Sequence, residues 1–204
     1  MKASVALQGW IEDSRASCSP LTVERLEEAA GRWLAAWGKD STLGEIGAEQ
    51  LKQHLQRRKA SGLAHSTLNT ERSHLQWFFS WAVRQGHIAA SPAAGLPRWK
   101  EPRRKLRVLA DSERAVLRSA GDPELADYLV VATETGLRRR ALLALAWGHI
   151  DFARGWISLP AELMKSGEDY SAPVSEEGLA ALRRRRVDGG GRAGLVFSLS
   201  PSSL

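Results

Sequence analysis

Eight residues near the middle of the chain, Ala90-Ser91-Pro92-Ala93-Ala94-Gly95-Leu96-Pro97, set the first limit on what it can fold into. Two prolines and a glycine among small residues end a helix and do not let it resume. The stretch divides the 204 residues into two parts with different patterns. A run of charge follows at once. Residues 98–107 hold Arg98, Lys100, Arg103, Arg104, Lys105 and Arg107 against Glu101. We read 1–92 as one domain, 93–107 as a basic linker and 108–204 as a second domain.

The first part reads as all helix. Residues 4–16 form a short amphipathic segment with Val5, Leu7, Trp10 and Ile11. Ser19 or Thr22 caps a helix through about Trp37, with Leu26, Ala29, Ala30, Trp33, Leu34 and Trp37 at helical spacing, and Gly38 ends it. A third helix is expected over 47–60, with Leu51 and Leu55 inward and Lys52, His54, Arg57, Arg58 and Lys59 mostly outward. Ser66 caps a fourth that runs to Gly86. Its inward stripe is Leu68, Leu75, Phe78, Phe79, Ala82 and Val83. The tryptophans, Trp77 and Trp81 included, read as core rather than as platforms for stacking bases.

The second part is mixed. Ala110-Asp111-Ser112-Glu113 has the pattern of a capping box opening a helix. Another helix is expected over about 122–135. Trp156-Ile157-Ser158-Leu159 and Tyr170-Ser171-Ala172-Pro173-Val174 read as short strands around a polar turn with Lys165, Ser166 and Gly167. A last helix covers about 175–186, and Leu195-Val196-Phe197 is a short extended piece. Tyr128 reads as core, Tyr170 as a strand side chain, and Arg183 to Arg186 as a solvated helix face.

Composition narrows the class. Hydrophobic residues make up 43% and charged residues 25%, enough for a real core. No apolar run reaches the length of a membrane span, and the first thirty residues hold no signal-peptide core, so a cytoplasmic location is expected. Cys18 is the only cysteine, which excludes an internal disulfide and a cysteine metal cluster. The net charge of +6 suits a polyanionic partner.

Chemistry enters with Thr135-Gly136-Leu137-Arg138-Arg139-Arg140-Ala141-Leu142-Leu143-Ala144-Leu145-Ala146-Trp147. A Thr-Gly-Leu-Arg turn opens an apolar helix that closes in Leu-x-Trp. This outline resembles the first arginine box of the tyrosine recombinases, or phage-type integrases. Other pieces resemble the same family in the same order. His65-Ser66-Thr67-Leu68-Asn69 through Phe78-Phe79-Ser80-Trp81-Ala82, then Gly86-His87-Ile88 and Ser91-Pro92, are similar to the last helix and exit of its core-binding domain. Arg107-Val108-Leu109 resembles the opening of its catalytic domain. Ile150-Asp151-Phe152, Ile157, Lys165-Ser166-Gly167 and Ala172-Pro173-Val174-Ser175 resemble its strand, lysine hairpin and return.

The resemblance implies a mainly α fold with a small antiparallel β-hairpin or sheet. A helical SAM-like core-binding domain would precede a partial α+β tyrosine recombinase catalytic domain. It implies double-stranded DNA as partner, no membrane, no metal and no cofactor. In the family a tyrosine attacks the scissile phosphate and forms a 3′-phosphotyrosyl link. Charge then builds on the phosphoryl oxygens, which calls for fixed cations aimed at them. By the resemblance, Arg138 is the first phosphate clamp and Lys165 protonates the leaving 5′-oxygen. Arg57, Arg58, Lys59, Thr67 and Arg72, with His65, fall near turns that approach DNA in the family. Lys100, Arg103, Arg104 and Lys105 would contact phosphates from the linker. Arg139 and Arg140 either touch DNA or face water.

The sequence also departs from the family pattern. The His-x-x-Arg box is expected downstream of Phe197 and is not present. His54-Leu55-Gln56-Arg57 has that spelling in the wrong part of the chain. The tyrosines, Tyr128 and Tyr170, do not match the nucleophile. Ala141 stands where the family has an acidic residue orienting the arginine, with Glu134 one turn earlier as a substitute. The chain is therefore expected to be a truncated integrase that binds DNA, is inactive alone, and leaves apolar surface uncovered near Leu195, Val196 and Phe197. Whether it counts as an enzyme stays open. The family forms a tetramer on DNA through a C-terminal exchange segment that this chain lacks, so a monomer is expected in solution. Two alternatives stand beside this: a non-catalytic DNA-binding decoy or regulator of the same site, and a helical protein-interaction domain with no DNA role.

Overall fold

A computed structural model describes residues 1–102, 107–108, 110–119, 121–189 and 194–199, without the side chains of Arg114, Leu117 and Arg118. The chain divides into two compact units, Met1–Lys105 and Leu106–Leu204. The described residues are mostly helical, with one small antiparallel sheet.

Unit one is built from α1 (Ala3–Arg15), α2 (Pro20–Trp37), α3 (Ala48–Ala60) and α4 (His65–Arg84). Ser19 caps α2 by accepting the Thr22 N–H, with Pro20 at the first helical position, where its missing N–H costs nothing. Gly38 ends α2 at φ 94°, a backbone region that side-chain-bearing residues avoid. The core is aromatic. Trp10, Trp33, Trp37, Phe78, Phe79 and Trp81 are all buried, and the Trp10 and Trp33 rings stack with centroids 6.1 Å apart.

Three expectations for this unit change. Ser66 does not cap α4; the helix starts at His65 from Ala64, whose carbonyl already receives the Leu68 N–H. Val83 is only half-buried. His54, expected on the outer face of α3, is 6% exposed. It faces inward because Glu71 of α4 is buried opposite and needs a partner. His54 Nε2 lies 2.8 Å from Glu71 Oε1, Arg58 Nε donates to Oε2 at 3.0 Å, and Trp33 Nε1 donates at 3.2 Å. Burial pushes the Glu71 carboxyl up, but the bonds from His54 and Arg58 outweigh it and hold its pKa down at about 2.

Unit two holds α5 (Asp111–Ser119), α6 (Pro123–Thr135), α7 (Arg139–Leu143) and α8 (Glu176–Val187), with β1 (Ile150–Asp151), β2 (Trp156–Leu159) and β3 (Tyr170–Pro173) in the order β1-β2-β3. Both pairings are antiparallel; Ile157 lies opposite Ile150 and Ala172, and Leu159 opposite Tyr170. Period-two alternation buries Ile157 and Leu159 and leaves Trp156 exposed, the exception to the expectation that the tryptophans are core.

Two expectations for unit two are corrected. Val196 and Phe197 are 0% and 1% exposed. Leu195, half-buried, bridges to Ala146, the Val196 N–H donates to Leu145 O, and Phe197 packs edge-on against Tyr128, so Val196 and Phe197 belong to the core. The arginines of α8 are not one solvated face. Arg185 is 7% exposed and pairs with Glu124 at 3.3 Å, while Arg184 Nε donates to the buried Asp127 at 3.1 Å. Arg186 lies over the Phe152 ring at 5.4 Å, and Arg183 stays exposed. Burying the Arg185 guanidinium is tolerable because α6 supplies a carboxylate, Glu124, to meet it.

Candidate nucleic-acid interface

The turn 135–138 is shaped by its own side chains. Thr135 is buried and its Oγ1 donates to Val131 O at 2.7 Å, which closes α6. The same oxygen accepts the Leu137 N–H at 3.3 Å. Gly136 sits at φ 63°, the left-handed conformation that reverses the chain after a helix. Leu137 then anchors in the core at 7% exposure, and Arg138, in extended conformation at the start of α7, is left exposed. The apolar helix expected to run to Trp147 is only five residues long.

Lys165 is exposed at the tip of the β2–β3 connection. The Gly167 N–H donates to Met164 O at 3.2 Å, and Asp169 Oδ1 accepts the Ala161 N–H at 2.8 Å, which closes the tip. Met164, half-buried, packs against the core, so the turn is rooted beside the lysine. The Tyr170 hydroxyl donates to Thr135 O. That bond ties the strand after the lysine turn to the turn that carries Arg138.

Ala141, where an acidic residue was expected by resemblance, is buried among the core residues of unit two. Glu134 does not take its place. Its carboxylate accepts the Ser175 N–H at 3.2 Å and the Ser175 hydroxyl at 2.7 Å. Ser175 in turn caps α8 by accepting the N–H groups of Glu177 and Gly178. Among the described residues no carboxylate lies within ion-pair distance of Arg138 or Lys165.

In unit one the candidate cations differ in their freedom. Arg57, Lys59 and Thr67 are exposed. Arg58 is half-buried on Glu71. Arg72 is half-buried and its Nε donates to Leu96 O at 2.8 Å. His65 Nδ1 lies 2.7 Å from Lys100 O, so it carries the proton of that bond. Lys100 is exposed; Arg103, Arg104 and Lys105 lie outside the described residues. Arg139 and Arg140 are exposed on α7.

The comparisons with known proteins agree on one family. Residues 10–86 match the family model "Phage integrase, N-terminal SAM-like domain". The chain is 33% identical over 179 residues to the tyrosine recombinase XerC of Xylella fastidiosa strain 9a5c, covering 78% of this chain and 56% of the relative. The chain belongs to the tyrosine recombinase family. A tyrosine recombinase XerD from Ralstonia nicotianae is 28% identical over 186 residues, covering 88% of this chain and 59% of the relative. The chain thus spans somewhat more than half the length of these curated relatives. Among solved structures, a lambda integrase (75-356) dimer bound to a COC' core site shares the fold with a TM-score of 0.81 at 18% identity, covering 98% of this chain and 74% of that one. The Tn1549 transposon integrase in complex with circular intermediate DNA superimposes with a TM-score of 0.77 at 19% identity, covering 100% and 72%.

In this chain, sequence reasoning passed over several working residues. Asn69, Gln76 and Glu71 of α4 were not singled out, nor was the hydroxyl of Tyr170. The signal for the first two was present. His65, Asn69, Arg72 and Gln76 fall on one helical face, and Ala93, Leu96 and Trp99 recur every third residue beyond the helix. Among the described residues no helix is long and apolar enough to cross a membrane, and no cluster of His, Cys, Asp and Glu could hold a metal ion.

Proposed function

We propose that this chain binds double-stranded DNA and contributes Arg138 and Lys165 to a phosphate clamp of tyrosine recombinase type. Arg57, Arg58, Lys59, Thr67, Arg72, Lys100, Arg103, Arg104, Lys105 and Arg139 supply the surrounding phosphate contacts. The domains at 1–92 and 108–204, with the basic linker 93–107, engage the duplex; the chain is a monomer in solution and acts in the cytoplasm. The observation that carries this reading is the Tyr170–Thr135 bond, which links the lysine hairpin to the arginine turn. Two exposed cations on tied, rigid turns can stabilise charge on a phosphoryl group without reorganising.

Residues 1–204 do not by themselves supply the covalent step. Tyr128 is 6% exposed inside the core, and the hydroxyl of Tyr170 is taken by Thr135 O. A second reading, a non-catalytic DNA-binding regulator of the same site, is favoured by Ala141 and by the commitment of Glu134 to Ser175, which leave Arg138 without an orienting carboxylate among the described residues. One titration and one trap test both. Affinity for a duplex, followed by fluorescence anisotropy, should fall steeply between roughly 50 and 200 mM salt, as phosphate neutralisation demands. Salt-independent binding, or none, would sink the DNA reading. A nicked suicide duplex should yield no covalent adduct with the 204-residue chain, and an adduct would overturn the assignment of both tyrosines.

A further inference from the structure

The chain leaving α4 does not swing free. It turns back and runs antiparallel along the helix that it has just left. Gln76 Nε2 donates to Ala93 O at 3.2 Å and Arg72 Nε to Leu96 O at 2.8 Å. Asn69 grips residue 99 on both sides: its Oδ1 accepts the Trp99 N–H at 3.0 Å and its Nδ2 donates to Trp99 O at 2.9 Å. The second Nδ2 hydrogen goes to Glu101 Oε1 at 2.7 Å. His65 closes the ladder on Lys100 O. Beneath it, Ala93 and Leu96 are 0% and 3% exposed, and Trp99 packs against the same core. Between these anchors Arg98 and Lys100 are left exposed.

We propose that Asn69 is a positioning residue for DNA binding. By clamping the backbone of Trp99 it holds Arg98 and Lys100 at fixed places, so that both meet phosphates together. This rests on the DNA-binding reading above. Asn69 is 8% exposed and carries no charge, so it has no direct part in neutralising phosphate. Its side chain makes three bonds to the segment 99–101, more than any other residue of the ladder. A cation held in register contributes to binding without first losing its conformational freedom.

The test uses the full chain with Asn69→Ala, with Asn69→Asp, which keeps the acceptor for the Trp99 N–H but loses both donations, and with the pair Arg98→Ala/Lys100→Ala. Tryptic cleavage after Arg98, read by peptide mass, reports whether the segment is docked; it should be slow in the parent and fast in both Asn69 variants. Duplex affinity is measured across a salt series. Removing Arg98 and Lys100 should lower the salt slope by about 1 for each phosphate that is no longer neutralised. Asn69→Ala should lower the slope by a similar amount although no charge is removed, and adding Arg98→Ala/Lys100→Ala to it should then change little. A merely structural role would lower thermal stability and leave the slope of the folded protein as it was. Parental slopes in both Asn69 variants, with parental binding intact, overturn the positioning role alone. Fully additive losses in the combined variant overturn it too. Failure of the parent to bind any duplex overturns the DNA reading and this role with it, whatever the cleavage pattern. If Asn69→Ala does not fold, Asn69→Asp decides the same question.

Discussion

The hydroxyl of Tyr170, on β3, donates its hydrogen bond to the carbonyl oxygen of Thr135, the last residue of α6. The two residues are 35 positions apart, and the bond joins the strand behind the Lys165 turn to the turn in front of Arg138. It fixes one candidate cation relative to the support of the other. Tyr170→Phe keeps the ring and removes the bond. It should cost about 1 kcal/mol of stability. Thermal melting should show the loss, and duplex affinity should fall with it; an unchanged melting temperature would mean the bond does not hold the turns together.

Gly178 is needed for a different reason. A Cβ there would stand 2.5 Å from Val174 Cγ1 and collide with the Glu134 carboxylate. That carboxylate is held by Ser175, so it has little room to move. Gly178→Ala should destabilise unit two by roughly 1–3 kcal/mol, the usual cost of overpacking. Adding Glu134→Ala should recover part of the loss, because the two sites share one space. Chemical denaturation of the single and double variants checks this, and strict additivity would refute the clash.

Glu71 makes unit one sensitive to acid. Its pKa is held at about 2 against an ordinary 4.5. The unfolded chain therefore takes up the proton first. The stabilisation is complete above about pH 4.5 and drains away as the pH falls toward 2. The shift corresponds to roughly 3 kcal/mol. Glu71→Gln should lower stability near neutral pH, because Arg58 loses its counter-charge, and should flatten this acid limb. Denaturation midpoints across pH 2 to 6 measure both effects. An acid limb unchanged in the variant would assign the titration to another group.

The cations beyond Pro102 offer the simplest electrostatic test. Replacing Arg103, Arg104 and Lys105 with alanine should weaken binding to every duplex sequence alike. The salt slope should fall by about 1 for each phosphate left without its cation. Unchanged affinity would remove the basic run from the interface. Sequence-selective weakening would instead point to base contacts.

Much of this was legible in the residue order. The caps at Ser19, Asp122 and Ser175, the break at Gly38 and the turn at Gly136 are local, and a short window of sequence contains all the atoms that make them. The arginine turn was readable for the same reason. His54 was misread because helical periodicity sorts residues by hydropathy and cannot see that Glu71 waits across the core. Glu134 was misread because its partner, Ser175, lies 41 residues away. Of the α8 arginines only Arg185 departs from a solvated face, because its partner Glu124 belongs to α6.

By itself, then, the sequence determined the helices and short strands, and the family. Those depend on local hydrogen bonding and on the spacing of apolar side chains. Only the tertiary structure decided which polar groups meet: that Asn69 seizes Trp99, that Tyr170 reaches Thr135, and that Arg185 is buried on Glu124. A polar side chain carries no mark of its partner until packing brings the two together. Once they are buried, the cost of leaving either unpaired makes the arrangement specific.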